Sequence, residues 1–303
     1  MTSTSTPLPS RLPLLELFLL LTLATLWGSS YTLIKIAVGT IPPVTLMAVR
    51  TVLAGGVLYG LMRMSGQEFP RDPALWRKFG FQALMNSVLP FTLIAWAEQT
   101  VTAGVATIIN SAAPILTFVL LWLLPGHEPA TFRKLAGTLL GLAGIVVLIG
   151  PEAAQGFGEG IAAQAALVAA TLCYAVAAIY GRNFKGVNAM LPAAGSMVCG
   201  AVVLVPASLL IDRPWTLTPS AASMGATLLL ALFSTALAFV IYFRLLKTLG
   251  PVGTTSQAYL RVPIGVCAGA LFLGEAISAT ALAGLVLVMA GVAAITTPAR
   301  GRA

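Results

Sequence analysis

Acidic side chains are scarce in this chain: nine Asp and Glu stand against seventeen Lys and Arg in 303 residues, and charged residues make up only 9%. A soluble domain carries about 25%, so water is not the solvent for most of this surface. One histidine and three cysteines leave little for metal ligation or nucleophilic chemistry. Cys173, Cys199 and Cys267 lie far apart in apolar runs, without metal-ligand spacing, and read as packing residues. No intramembrane His, Asp or Cys has a partner at catalytic spacing, which argues against an embedded enzyme and leaves no cofactor or metal to expect.

Apolar residues fill the gap, at 58% of the chain with a mean hydropathy of +0.95. A span needs about 20 apolar residues, and the breaks at Gly, Pro and charge clusters divide the chain into ten such runs. They fall near 14–38, 43–64, 74–97, 102–124, 131–150, 157–182, 188–211, 220–246, 251–273 and 278–297. The first is too long for a signal peptide and is kept as a span. The expected class is an all-α membrane protein of ten transmembrane helices, with short tails at 1–13 and 298–303. An even count puts both termini on one side. Thirteen of the seventeen basic residues fall on that side and only Arg213 on the other, so both termini are expected in the cytoplasm. The same loops account for the net charge of +8, and no nucleic-acid partner is expected.

The two halves of the chain repeat each other. Gly104, Pro114 and Ile115 match Gly253, Pro263 and Ile264 at an offset of 149, and Glu128, Leu135, Gly137 and Gly144 match Glu275, Leu282, Gly284 and Gly291 at 147. Trp27 and Lys35 fall opposite Tyr174 and Arg182 at the same 147. This implies two five-helix units, 14–150 and 157–297. Five is odd, so the second copy enters the membrane from the opposite face. Such inverted repeats give two equivalent arrangements around a site near the midplane, which suits a transporter.

At these residues the chain resembles the drug/metabolite transporter superfamily, in its ten-span EamA-type branch. The features are Trp27-Gly28 with Lys35, Pro42 or Pro43 followed by Arg50, the Pro114 and Pro263 helices, and Glu275 after Leu273-Gly274, with Gly284 and Gly291 beyond. Within the branch it is most similar to YddG-type exporters of aromatic and other amino acids. Pro125-Gly126-His127-Glu128 departs from the Leu-Gly-Glu run of the family. The resemblance implies a basket of two inverted five-helix repeats with alternating access to a central cavity.

Polar groups deep in hydrocarbon are costly unless paired or facing water, so they mark a pathway. Gln82 and Asn86 share a face of the third span. The fourth offers Asn110 and Ser111, and the ninth Gln257, Tyr259 and Arg261. Arg261 lies about 15 Å into its span, where it either receives a substrate carboxylate or clamps helix ends. Arg50 and Lys35, closer to the outer face, read as snorkelling or structural groups. Trp27, Tyr31, Tyr174, Phe239 and Tyr242 either stack on an apolar substrate group or pack the bundle. Pro114 and Pro263 are a candidate hinge pair, or static kinks.

No carboxylate falls mid-span, which removes the usual seat of a coupling ion and favours facilitative movement. The expected function is export of small amphipathic metabolites, above all aromatic or other apolar amino acids, from the bacterial inner membrane. The alternative is export of drugs, nucleosides or other metabolites by proton-coupled antiport. The expected partners are a small-molecule substrate and the lipid bilayer, and the protein is expected to act as a monomer.

Overall fold

The apolar runs fold as helices because, in lipid, the backbone must satisfy its own hydrogen bonds. A computed structural model describes residues 14–124, 131–149, 160–264 and 279–297. Both tails, the Pro125–Glu128 departure, the linker between the halves, Cys267 and Glu275 lie outside the described residues. In chain order the helices are α1 (Leu14–Ala37), α2 (Pro43–Met64), α3 (Pro73–Ala83), α4 (Leu89–Ala97), α5 (Ala103–Asn110), α6 (Ala113–Leu123) and α7 (Phe132–Ile149). The second half gives α8 (Ile161–Tyr180), α9 (Met190–Ile211), α10 (Ala221–Ala231), α11 (Ala238–Thr248), α12 (Gly250–Thr255), α13 (257–264) and α14 (Ala279–Thr296). Among the described residues there is no strand. Seven helical stretches there are long and apolar enough to cross a membrane, and Leu282–Thr296 is a shorter apolar helix.

Local chemistry sets several helix starts. Asp72 accepts from Ala74 N at 2.8 Å, Thr102 from Val105 N at 3.3 Å and Ser220 from Ser223 N at 3.1 Å, each satisfying a donor that the first turn leaves unpaired. At the α11–α12 junction Gly250 takes φ +70°, a conformation that side chains with a Cβ resist.

Two interruptions are related by the repeat. Between α3 and α4, Leu84–Val88 forms a π-turn in which Leu89 N–H reaches back five residues to Leu84 O. Between α10 and α11, Leu232–Leu237 does the same, with Ala238 N–H on Phe233 O. Both members of that bond shift by 149 positions. In the first turn Pro90 has no N–H to offer Asn86 O, so the regular ladder cannot continue. In the second, Thr235 Oγ1 donates to Leu230 O at 2.8 Å.

Equivalent helices of the two halves pack against each other. A Cβ on Gly137 of α7 would lie 2.8 Å from Gly291 O of α14, and one on Gly144 would lie 2.9 Å from Gly284 O. As α7 advances, α14 recedes, so the pair runs antiparallel with backbones in contact. The same two glycine pairs meet twice, as a two-fold relation requires. Helices α2 and α9 repeat this geometry: Thr45 bonds Ser208 and Asp212, while Gly55 faces Met197. Small residues allow such close approach without a hydrophobic drive. The outward faces stay apolar, with Val202, Leu210 and Ile211 at 67–81% exposure on α9.

These contacts predict a sharp steric cost. Gly291→Val places its Cβ 2.6 Å from Gly137 O and is expected to destabilise the bundle by about 1–3 kcal/mol, read as a lower melting temperature in detergent. Gly56→Ala, where a Cβ meets nothing within 4 Å, is expected to leave it unchanged.

Candidate functional site

Arg261, on α13, is 6% exposed, and its guanidinium is held by three neutral side chains. Nε donates to Gln257 Oε1 at 3.0 Å; Nη1 donates to Tyr31 OH at 2.6 Å and to Asn110 Oδ1 at 3.0 Å. Its carbon also lies 5.6 Å from the ring centres of Trp27 and Tyr31, within cation–π range. Gln257 precedes Arg261 by one helical turn, which is why both reach the same point. Asn110 ends α5 where the fourth span breaks, and its Nδ2 passes the network on to Thr171 Oγ1 at 3.3 Å.

A second arginine closes the site from the first half. Arg50 is 2% exposed, with Nε donating to Thr235 Oγ1 at 2.6 Å and Nη2 to Ser234 O at 3.3 Å. Its guanidinium carbon sits 3.8 Å from the centre of the Phe91 ring. The second π-turn thus serves the site directly. Ser234 O also accepts Trp27 Nε1 at 3.0 Å, so Arg50 and Trp27 share one carbonyl.

Between these groups lies a cavity of about 40 Å³ free volume, room for about three water molecules. Trp27, Tyr31, Asn86, Asn110, Tyr174, Tyr242, Gln257 and Arg261, all anticipated from sequence, line it together. The remaining anticipated residues do not. Gln82 is fully buried beyond the lining, beside Tyr242, and Ser111 donates to Ile108 O at the helix break. Phe239 packs between Trp27 and Phe91 at 6.2 and 6.1 Å. Tyr259 points at α7, its OH on Thr138 O at 3.0 Å and its ring against Gly141. Pro114 stands at the start of α6, just past the break at 111–112, whereas Pro263 lies inside α13, well past the turn at Ser256. Sequence reasoning missed Arg50 and Phe91 as lining residues, and with them Ser30, Ile34, Ile94, Ala113 and Thr255. A signal for Arg50 existed: it stands about 10 Å into α2, deep for a side chain that must reach water.

Two sets of contacts flank the cavity. On one side Lys35 Nζ donates to Glu98 O at 2.5 Å and Val101 O at 3.0 Å, tying α1 to the α4–α5 turn. Glu98 itself is fully buried, and neither carboxyl oxygen has a hydrogen-bond partner among the described residues. Burial raises its proton affinity, against the opposing pull of Lys35 and Arg50. On the other side Phe239, Tyr242, Phe243, Phe184 and Phe79 form a continuous ladder of ring contacts at 5.2–6.3 Å. Beyond it Glu16 bonds Arg244 and Thr248, both at 3.1 Å.

The sequence profile of the EamA-like transporter family matches residues 14–150 and again 161–297. The "uncharacterized inner membrane transporter YedA" of Escherichia coli K12 is 29% identical over 268 residues, covering 88% of this chain and 85% of its own. The "uncharacterized transporter YvbV" of Bacillus subtilis is 27% identical, with 94% and 92% covered. A "probable terminal-alkyne amino-acid exporter" of Streptantibioticus cattleyicolor is 26% identical, with 94% of each chain covered. One solved crystal structure superposes with a TM-score of 0.75 at 21% identity, over 93% of this chain and 98% of that one, a likeness of fold.

The arginine network yields a stability prediction. Tyr31→Phe removes one acceptor from a buried cation and is expected to cost about 1.5–3 kcal/mol, measured as a fall in melting temperature. Ser30→Ala, in the same helix and against the same cavity, is expected to shift it far less.

Proposed function

The chain belongs to the EamA-like transporter family and is a multi-pass protein of the bacterial inner membrane, and on that premise we propose that it exports small amphipathic metabolites by alternating access. Aromatic and other apolar amino acids are the leading substrates, in keeping with the likeness to YddG-type exporters. The observation that carries this reading is Arg261, buried in the cavity among Trp27, Tyr31 and Tyr242. Its planar fork suits a carboxylate. Asn86 and Asn110 would meet the polar backbone of the substrate, and the rings its side group. At about 40 Å³ the cavity is smaller than an amino acid, and on this reading the helices part as substrate binds.

The architecture proposed for this cycle is ten spans in two inverted repeats, 14–150 and 157–297, with both termini in the cytoplasm and one chain as the working unit. The antiparallel contacts of α7 with α14 and of α2 with α9 support the inversion. Pro114 and Pro263 are the proposed hinges. The family supports a carrier over an enzyme, and its chemistry resides in binding. Movement down the substrate gradient remains the primary mechanism, because no acidic residue lines the cavity. A second reading, proton-coupled antiport, which would extend to drugs and nucleosides, is favoured by the buried, unpartnered carboxyl of Glu98.

Counterflow in proteoliposomes tests both. Vesicles preloaded with phenylalanine are expected to accumulate labelled phenylalanine whether or not a pH gradient is imposed, and Arg261→Gln to lower the initial rate at least about tenfold. Absence of counterflow for every amino acid overturns the substrate assignment. Uphill uptake that needs the gradient and disappears in Glu98→Gln overturns the facilitative mechanism in favour of antiport.

A further inference from the structure

Charge in the cavity is one-sided. Arg50 and Arg261 both line it, one from each half of the chain, and no Asp or Glu among the described residues does. Every hydrogen-bond partner of the two guanidiniums among the described residues is neutral: hydroxyl, amide, carbonyl or thioether. Glu98 lies outside the lining, where it feels both Arg50 and Lys35, a third positive charge. An arginine does not shed its proton in a protein, and buried charges are ordinarily paired with opposite ones. Here two like charges converge on one ring system instead. Arg261 lies over Trp27, and Arg50 shares the Ser234 carbonyl with the Trp27 indole N–H.

The missing counter-charge has a direct bearing on the ligand. A carboxylate entering between the guanidiniums supplies it. An α-ammonium on the same molecule would meet the same positive field, with no carboxylate in the lining to accept it. We infer that the cavity selects net organic anions, namely carboxylates that carry an aromatic or apolar group and whose amine is replaced or acylated, over the zwitterionic amino acids. This rests on the reading of the cavity as the transport site and narrows its substrate class. Two arginines serve it better than one, because a carboxylate has four lone-pair sites and a single fork engages only part of them. The rings of Trp27 and Tyr242, 5.4 Å apart, supply the apolar contact.

Three compounds of one shape test the charge rule. Phenyllactate is an anion, phenylalanine a zwitterion and phenylalaninamide a cation, and each is offered labelled to wild-type proteoliposomes preloaded with the same compound. Protein-free liposomes give the leak. The expected order of initial rates at low concentration is phenyllactate first, by about tenfold or more over phenylalanine, the factor set by leaving one buried ammonium unpaired, with the amide at the leak rate. Arg50→Gln, which leaves Arg261 in place, is expected to reduce that preference towards parity. Should this variant fail to fold, the wild-type order alone decides. Phenylalanine moving as fast as phenyllactate, or faster, overturns the inference and leaves the amino-acid transporter standing. Failure of all three to move above leak removes the cavity reading itself, and this inference with it.

Discussion

Two guanidinium groups, buried in an apolar bundle and hydrogen-bonded only to neutral groups among the described residues, set the terms for the rest of the site. Each would be prohibitively costly in hydrocarbon if left bare, so the surrounding structure is organised to supply neutral acceptors. Tyr31, Asn110 and Gln257 converge on Arg261 from three segments of the chain. Thr235 and the Ser234 carbonyl do the same for Arg50, from the π-turn between α10 and α11. The aromatic rings add their negative faces, Phe91 beneath Arg50 and Trp27 beneath Arg261. This arrangement holds the cations in place but does not neutralise them. An anion is the natural complement, and a site that awaits its counter-charge has a reason to bind.

The frame around the site follows from the same economy of charge. With few polar groups to spare, helices associate through small residues and close backbone contact, most clearly at Gly137, Gly144, Gly284 and Gly291. The π-turns are related by the repeat, whereas the two arginines stand at positions that the repeat does not relate. The contacts that flank the cavity differ in kind: Lys35 binds two carbonyl oxygens on one side, whereas aromatic rings pack on the other.

Much of this was legible from the chain alone. Long apolar runs, the offset glycines and prolines and the basic loops pointed to a duplicated membrane carrier, because lipid imposes its constraints on composition. Arg261, Asn86, Asn110 and Gln257 stood out as polar groups that apolar runs rarely carry. The aromatic residues divided by neighbours that sequence does not display: Trp27 and Tyr242 reach the cavity, while Tyr259 bonds Thr138 O and Phe239 packs among rings. In sequence Arg50 reads as a snorkelling or structural group; that Ser234 and Thr235 lie across from it, and that it lines the cavity, is shown only by the fold. Glu98 does not stand out in the sequence, since it falls outside the middle of any span; only the tertiary fold shows its carboxyl enclosed. The first π-turn has a visible cause in Pro90, whereas the second leaves little trace, since Leu232–Leu237 contains neither Gly nor Pro.

The central claim is that the two-arginine cavity is reached from each side of the membrane in turn and is filled by a carboxylate. The direct measurement is labelling of a single cysteine at Ser30, which lines the cavity, in a chain whose three native cysteines have been replaced by alanine. A membrane-impermeant thiol reagent is applied to right-side-out and then to inside-out vesicles, with and without an aromatic carboxylate. The account predicts modification from both faces, slowed by the carboxylate in each case. Modification from one face alone, or labelling that the carboxylate leaves unchanged, would contradict it.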